Sequence, residues 1–166
     1  MIIRSKFLPA AVAFITCLIG SIQASAEEHF DTGAFLSSCV DFVPNVPLAV
    51  PMDAQCVSHG RKMCELAAAG TPADHCLLEV TKWMQNEISA KWMRLPADLR
   101  KGRDTPPKLE EMASDGMLST LSLSTPDCET VQINGIPKQS LCDYSSALAG
   151  WHALRVLQRS AKAVSQ

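Results

Sequence analysis

Cysteine and histidine residues are the side chains of this sequence whose types and spacing could support chemistry. Cys56 and His59 are three residues apart, so they would share one face of a helix, where a histidine could lower the pKa of the thiol and activate it as a nucleophile. A second possibility is a metal site with mixed sulfur and nitrogen ligands. Its candidate ligands are Cys56, His59, Cys64, His75 and Cys76. Their spacing matches no common zinc framework.

The start of the chain indicates export, which favours a different chemistry for these cysteines. A positively charged start, an apolar run over residues 7–22 and the sequence Ala24-Ser25-Ala26 have the architecture of a secretory signal peptide. We predict a signal peptide over residues 1–26 and a single exported domain over residues 27–166, periplasmic or secreted. The apolar run is short and contains a proline, so we predict no stable membrane span after cleavage.

Six of the seven cysteines follow the predicted cleavage site, and an even number in an exported chain indicates a disulfide framework. Six cysteines allow fifteen pairings. A bridge from Cys56 to Cys64 is excluded if residues 52–69 are helical, because the two Cα atoms would lie ~12 Å apart. We favour the pairs Cys64–Cys76 and Cys128–Cys142, which leave Cys39 for Cys56, although the sequence alone does not fix the pairing.

Disulfide-bonded cysteines serve neither as nucleophiles nor as thiolate ligands. The sequence also lacks a nucleophile elbow, a phosphate-binding loop and a zinc-protease motif. We therefore predict no catalytic residue, no cofactor and no metal site. His29 lies close to the predicted mature start, and His152 follows Trp151 in the last predicted helix, where a surface position is the commoner one.

Helical periodicity and capping residues predict the elements that carry the cysteines. Gly70 can end one helix, while Thr71 and Pro72 can begin the next, which places Cys64 and Cys76 on either side of a break between antiparallel helices. Trp83 and Trp92 fall on opposite sides of that next helix, so we expect one in the core and the other either exposed or covering a second surface. The predicted helices are Asp31–Val40, 53–69, a long one from Thr71 to before Pro96, a weaker one over Leu109–Leu121, and 138–163.

The segments between these helices are predicted connections. Cys128–Ser140 is expected to be an irregular loop or a small hairpin, because Asn134-Gly135 is a turn signal and Val131 and Ile133 alternate with polar residues. The fold class that follows is all-α: a small disulfide-stapled bundle of four to five helices.

One part of the sequence resembles a known family. Cys64, eleven residues, Cys76, and then Glu79 and Trp83 are similar to the start of the lysozyme inhibitor LprI-like domain, and the likeness extends over about residues 56–157. Members are small exported helical modules of bacterial envelopes. The resemblance implies a protein that binds and inhibits a lysozyme or another cell-wall hydrolase by occluding its cleft.

Charge restricts the class of partner. The full chain has a formal net charge of −2, and removal of Arg4 and Lys6 leaves 13 basic against 17 acidic residues, a net charge of −4. Because no basic stripe remains, we predict no nucleic-acid partner. A mild negative field favours encounter with a basic protein, and lysozymes of the c type are basic.

We therefore expect the partner to be another protein, but the sequence does not locate the binding residues. Three connections could provide them: Asp41–Pro51, Leu99–Lys108 and Val131–Gln139. In the first, apolar side chains would stand on a proline-stiffened backbone. Ordinary surface connections are the plainer interpretation of all three. Two alternative functions stay open: a periplasmic immunity protein that neutralises a secreted toxin, and a non-catalytic structural protein of the envelope.

Overall fold

A computed structural model describes residues 30–116, 119, 128 and 132–164. The predicted signal peptide, its cleavage site and Val131 lie outside these residues. Within the described part the chain forms five helices and no strands, and three disulfides join them. The predicted class, a small disulfide-stapled all-α bundle, is confirmed. The helices are α1 (Thr32–Phe42), α2 (Ala49–Ala67), α3 (His75–Trp92), α4 (Leu109–Ser114) and α5 (Lys138–Val164).

Helix α1 begins where the sequence predicts and ends two residues later. The Asp31 carboxylate accepts a hydrogen bond from the Ala34 amide at 2.8 Å, which satisfies one of the free N–H groups at a helix start. The helix continues through Phe42 and stops at Val43, whose backbone is extended. Pro44 is the physical cause, because the residue before a proline is disfavoured in the helical conformation.

Helix α2 begins at Ala49, four residues before the predicted start at Asp53. We expected Pro51 to belong to an extended connection, and this expectation was wrong. Pro51 is the third residue of the helix, where its missing N–H costs no hydrogen bond because the first N–H groups of a helix have no partner within it. Asp53 is consequently not a cap but a residue inside the helix, on its buried face.

The break between α2 and α3 differs in detail from the prediction. Gly70 has a φ of +88°, the left-handed conformation expected of it, but α2 already ends at Ala67, two residues before the predicted end, and Ala68 is its C-cap. Thr71 does not cap α3, because its hydroxyl donates to the Ala68 carbonyl at 2.8 Å. The chain makes one further turn, and α3 begins at His75. Asp74, the residue before it, instead accepts a hydrogen bond from the Ser140 hydroxyl at 2.8 Å.

Contacts along the helices give their relative directions. The bond between Asp74 and Ser140 joins the starts of α3 and α5. Ile88 lies against Gly150 further along the same two helices, so α3 and α5 run side by side in the same direction. Helix α2 runs antiparallel to α3, as the sequence predicts, and the disulfide Cys64–Cys76 clamps their adjoining ends at a Cα–Cα distance of 5.7 Å.

The apolar faces of α3 and α5, together with residues of α1 and α2, form the core. Trp83 and Trp92 are both buried, so of the two alternatives for the second tryptophan only the exposed one is wrong. Trp83 packs against Trp151 of α5 with ring centroids 5.4 Å apart and donates its indole N–H to Ser37 of α1. Other buried core residues are Leu36, Val40, Val57, Val80, Met84, Leu95, Ala147, Leu154 and Leu157.

The segment after α3 explains the burial of Trp92. We expected residues 99–108 to be an exposed charged linker, but this segment folds back over the indole. The Trp92 N–H donates to the Arg103 carbonyl at 3.2 Å, and Arg100 donates to the Leu95 carbonyl at 3.1 Å. Half-buried prolines at 106 and 107 lead into α4, which is shorter than predicted and stops before Gly116, a residue with a φ of +66°.

Gly60 allows α1 and α2 to approach closely. A Cβ atom at this position would lie 2.5 Å from Cδ2 and 2.9 Å from Cγ of Leu36. Leu36 is fully buried, so its side chain has no free space into which to move. The small residue that looks unfavourable for a helix is therefore required by the packing.

We expect Gly60→Ala to lower the free energy of unfolding by about 1–3 kcal/mol, because overpacking outweighs the gain in helix propensity. Urea denaturation of the oxidised protein measures the change. Gly33→Ala is the matched control, since a Cβ there would meet its nearest neighbour at 3.4 Å. Equal stability of the Gly60→Ala variant and the wild type would contradict the close packing described here.

Candidate functional site

None of the cysteines suggested for catalysis or metal binding carries a free thiol. Cys56 is bonded to Cys39, and Cys64 to Cys76. The third disulfide joins Cys128 and Cys142, so the connectivity is the one favoured from the sequence. His59 is exposed beside the first disulfide. The described residues contain no group of three or more histidine, cysteine, aspartate or glutamate side chains that could hold a metal ion.

The end of α1 and the connection between α1 and α2 carry several exposed apolar side chains. The connection is shorter than the predicted segment 41–51 and spans residues 43–48, which we call the α1–α2 turn. Leu48 is 68% exposed and Val46 is also exposed, while Phe42, the last residue of α1, is 86% exposed. Of the apolar side chains expected on this segment, Val46 and Leu48 are thus exposed, whereas Val43 and Val50 are half-buried. Phe42 lies inside the predicted contact segment, although the structure places it at the end of α1.

Several bonds hold the α1–α2 turn in one shape. The disulfide Cys39–Cys56 connects α1 and α2 on either side of it. Within it, the Val46 amide donates to the Pro44 carbonyl at 3.0 Å. From α5, Arg159 donates to the same carbonyl at 3.1 Å. The exposed apolar groups therefore stand on a preorganised backbone, which reduces the entropy lost when such a surface binds a partner.

A buried carboxylate lies behind this turn. Asp53 of α2 is 0% exposed and accepts hydrogen bonds from two arginines of α5. Arg155 binds both carboxylate oxygens, at 3.0 and 3.1 Å, and Arg159 binds one of them at 2.7 Å. Arg155 also donates to the Val40 carbonyl at 3.1 Å. We call Asp53, Arg155 and Arg159 the ionic cluster, and it ties the start of α2 to the end of α5 and to the last turn of α1.

The sequence contains a signal for the ionic cluster that was not recognised. Asp53 stands four residues before Val57 and seven before Gly60, on the face that the core occupies. A charged residue in the apolar register of a helix calls for a buried partner. Arg155 and Arg159 are one helical turn apart and follow Trp151 in its register. Cations near the end of a helix also suit its dipole, an explanation that needs no specific partner.

His152 lies next to this cluster on α5. A surface position seemed commoner for it, but the side chain is half-buried, and its Nε2 atom is buried without a hydrogen-bond partner in the described part of the chain. Burial lowers the pKa of His152, and the nearby Asp53 carboxylate opposes this shift. Protonation of His152 therefore favours the unfolded chain.

This lowered pKa predicts a pH dependence of stability. Above the unfolded pKa of about 6.5 the histidine is neutral in both states, and its full contribution is present. As the pH falls from there through the folded pKa, the unfolded chain binds more protons and stability decreases. We expect His152→Gln to weaken this dependence in urea denaturations between pH 7.5 and 5.5. The exposed His59→Gln variant should keep it, and identical curves for all three proteins would contradict the assignment.

The other two suggested contact segments present less apolar surface. Residues 99–108 pack over Trp92, as described above, and are not a free apolar surface. In the segment 131–139, the turn at Asn134-Gly135 is present, with a φ of +81° at Gly135, and Ile133 is exposed beside it. Val131 falls outside the described residues, so the suggested hairpin is not described in full.

None of the described helices is both long enough and apolar enough to cross a membrane. A scan against protein-family models and searches of curated proteins and of solved structures return no match to this chain.

Proposed function

We propose that this chain is an exported envelope protein that binds and restrains a cell-wall hydrolase, such as a lysozyme, by inserting its α1–α2 turn into the substrate cleft. The proposal combines the sequence resemblance to the LprI-like domain with one structural observation. Phe42 and Leu48 are largely exposed apolar side chains. A disulfide and two arginines hold the backbone around them in place.

Single exposed apolar side chains are common, but aromatic and aliphatic groups gathered on one short segment are typical of an interaction surface. Large side chains of this kind act as anchors that fill pockets of a partner, and a rigid backbone keeps their ordering cost low. A cavity of about 210 Å³ between Phe42, Met52 and His59 adds a recess beside the turn. A partner could therefore both receive Phe42 and enter this recess.

Localisation and partner class belong to the same proposal. Three disulfides suit an oxidising compartment, in agreement with the predicted signal peptide. The negative net charge favours a basic partner by attraction over distance, while the apolar turn supplies the short-range contacts. The protein itself acts by occlusion and needs no catalytic group.

Substitution of the exposed apolar residues tests this function. We expect Phe42→Ser with Leu48→Ser to weaken binding to lysozyme by at least about tenfold in a calorimetric titration of the oxidised protein, because anchor residues contribute about 2 kcal/mol or more each. Leu66→Ser is the control, since Leu66 is 71% exposed on α2 but lies outside the turn. Equal affinities of the double variant and the wild type would contradict the proposed site. Binding of a secreted toxin instead of lysozyme would support the immunity alternative.

A further inference from the structure

A pocket lies beside the ionic cluster and the α1–α2 turn. The ends of α3 and α5 and this turn line the pocket, which is open to solvent and has a volume of about 350 Å³. This volume falls in the range of small-molecule sites. Basic side chains dominate its charged lining, although the chain as a whole is negative. They are Lys91, Arg94, Arg155, Arg159 and Lys162, with Asp41 as an acidic neighbour.

The ionic cluster carries more positive than negative charge. One carboxylate, Asp53, faces two guanidinium groups whose side chains are only 12% and 14% exposed. Their other hydrogen-bond partners are neutral: two backbone carbonyls and the Gln158 amide oxygen. A positive charge with little access to water is costly unless a negative group compensates it. An anion in the pocket would supply that compensation.

Two residues that line the same pocket have a guanidinium group with unused hydrogen-bonding capacity. The Nε atom of Arg159 is buried and has no hydrogen-bond partner among the described residues. Arg94, just beyond the end of α3, is exposed, and no carboxylate of the described chain pairs with it. Lys91 differs from both, because it forms an ion pair with Glu87 one turn earlier in α3. Guanidinium groups match the geometry of carboxylates and phosphates, to which they can donate two parallel hydrogen bonds.

We propose that this pocket binds a small organic anion through its carboxylate or phosphate group, with Arg94 as the principal donor and Arg159 as a neighbouring positive charge. Asp53 holds Arg159 in place, and Arg94 completes the site from the opposite helix. The pocket has room for more than the anionic group itself, so a ligand with an organic part would fit. The residues of this site differ from those of the proposed hydrolase contact, which uses Phe42 and Leu48.

Calorimetric titration of the oxidised protein at low ionic strength tests the site, with inorganic phosphate and succinate as probes and glycerol as the neutral control. We expect saturable binding of at least one anion and none of glycerol. Arg94→Gln should weaken that binding about tenfold or more, since it removes a charge-assisted contact. Lys82→Gln removes the same charge from an exposed position of α3 outside the pocket, and it should change the affinity less than about twofold.

Tighter binding of phosphate would identify a phosphate ester as the ligand class, and tighter binding of succinate a carboxylate. Three results would overturn the proposal: no saturable binding of either anion, full affinity of the Arg94→Gln variant, or equal losses in the Arg94→Gln and Lys82→Gln variants. The last result would assign the effect to net charge alone.

Discussion

Replacement of Asp53 by asparagine should lower the free energy of unfolding by about 3–5 kcal/mol, because it removes one partner of a buried ion pair and leaves the other charged. Asp53 is the only carboxylate bonded to Arg155 and Arg159 in the described structure, and it is fully buried. Both guanidinium groups would keep their charge, and both have little access to water. A loss of this size is a large part of the stability of an ordinary domain.

Urea denaturation of the oxidised Asp53→Asn protein measures the effect. Glu65→Gln provides the control, since Glu65 forms an exposed ion pair with Arg61 within α2, and its loss should cost less than about 1 kcal/mol. If the two variants lose similar amounts of stability, the ionic cluster is not the structural link that its geometry indicates.

Removal of the disulfide that flanks the α1–α2 turn should have the second large effect. The Cys39–Cys56 bridge closes a loop with a sequence separation of 17 residues. The chain-entropy model gives about 3 kcal/mol for a loop of this length. We expect the double variant Cys39→Ala with Cys56→Ala to lose about this much stability in urea denaturation. Alanine avoids placing a hydroxyl group in the buried position of Cys56.

The neighbouring positions provide a matched control. Ser38 and Gln55 precede these two cysteines and are exposed, so the double variant Ser38→Ala with Gln55→Ala should stay within about 0.5 kcal/mol of the wild type. A similar stability of the cysteine variant and this control would show that the bridge contributes little to the fold.

The parts of the fold that depend on local signals were predictable from the sequence. Asp31 caps α1, Gly70 adopts a left-handed conformation in the break after α2, and the apolar stripe of α3 faces the core. Each follows from the chemistry of one residue or from a period of 3.6 residues. The pairing of Cys64 with Cys76 needed only the further expectation that two helices joined by a short break run antiparallel.

The candidate sites depend on contacts between distant parts of the chain, which a local pattern does not contain. Asp53 and Arg155 are 102 residues apart in the sequence, and nothing near Asp53 identifies its partner. The position of Phe42 depends on where α1 ends. Pro44 disfavours a helical Val43 but permits an end at either Val40 or Phe42. The burial of Trp92 required a charged segment to fold back over it, although charge alone favoured exposure.

The α1–α2 turn combines a constrained backbone with exposed apolar side chains. The disulfide and the ionic cluster fix the backbone at both sides of the α1–α2 turn, and Phe42 and Leu48 project from it into solvent. A surface of this type suits an inhibitor, since the shape that binds exists before the partner arrives. Loss of the Cys39–Cys56 bridge should therefore reduce partner binding as well as stability.

The most direct test of this account is the rate at which lysozyme degrades purified cell walls, measured with increasing amounts of the oxidised protein. We predict a saturable decrease in the rate for the wild type and a much weaker decrease for the Phe42→Ser, Leu48→Ser double variant. An undiminished rate at a large molar excess of the correctly folded wild-type protein would contradict the proposed inhibition of lysozyme.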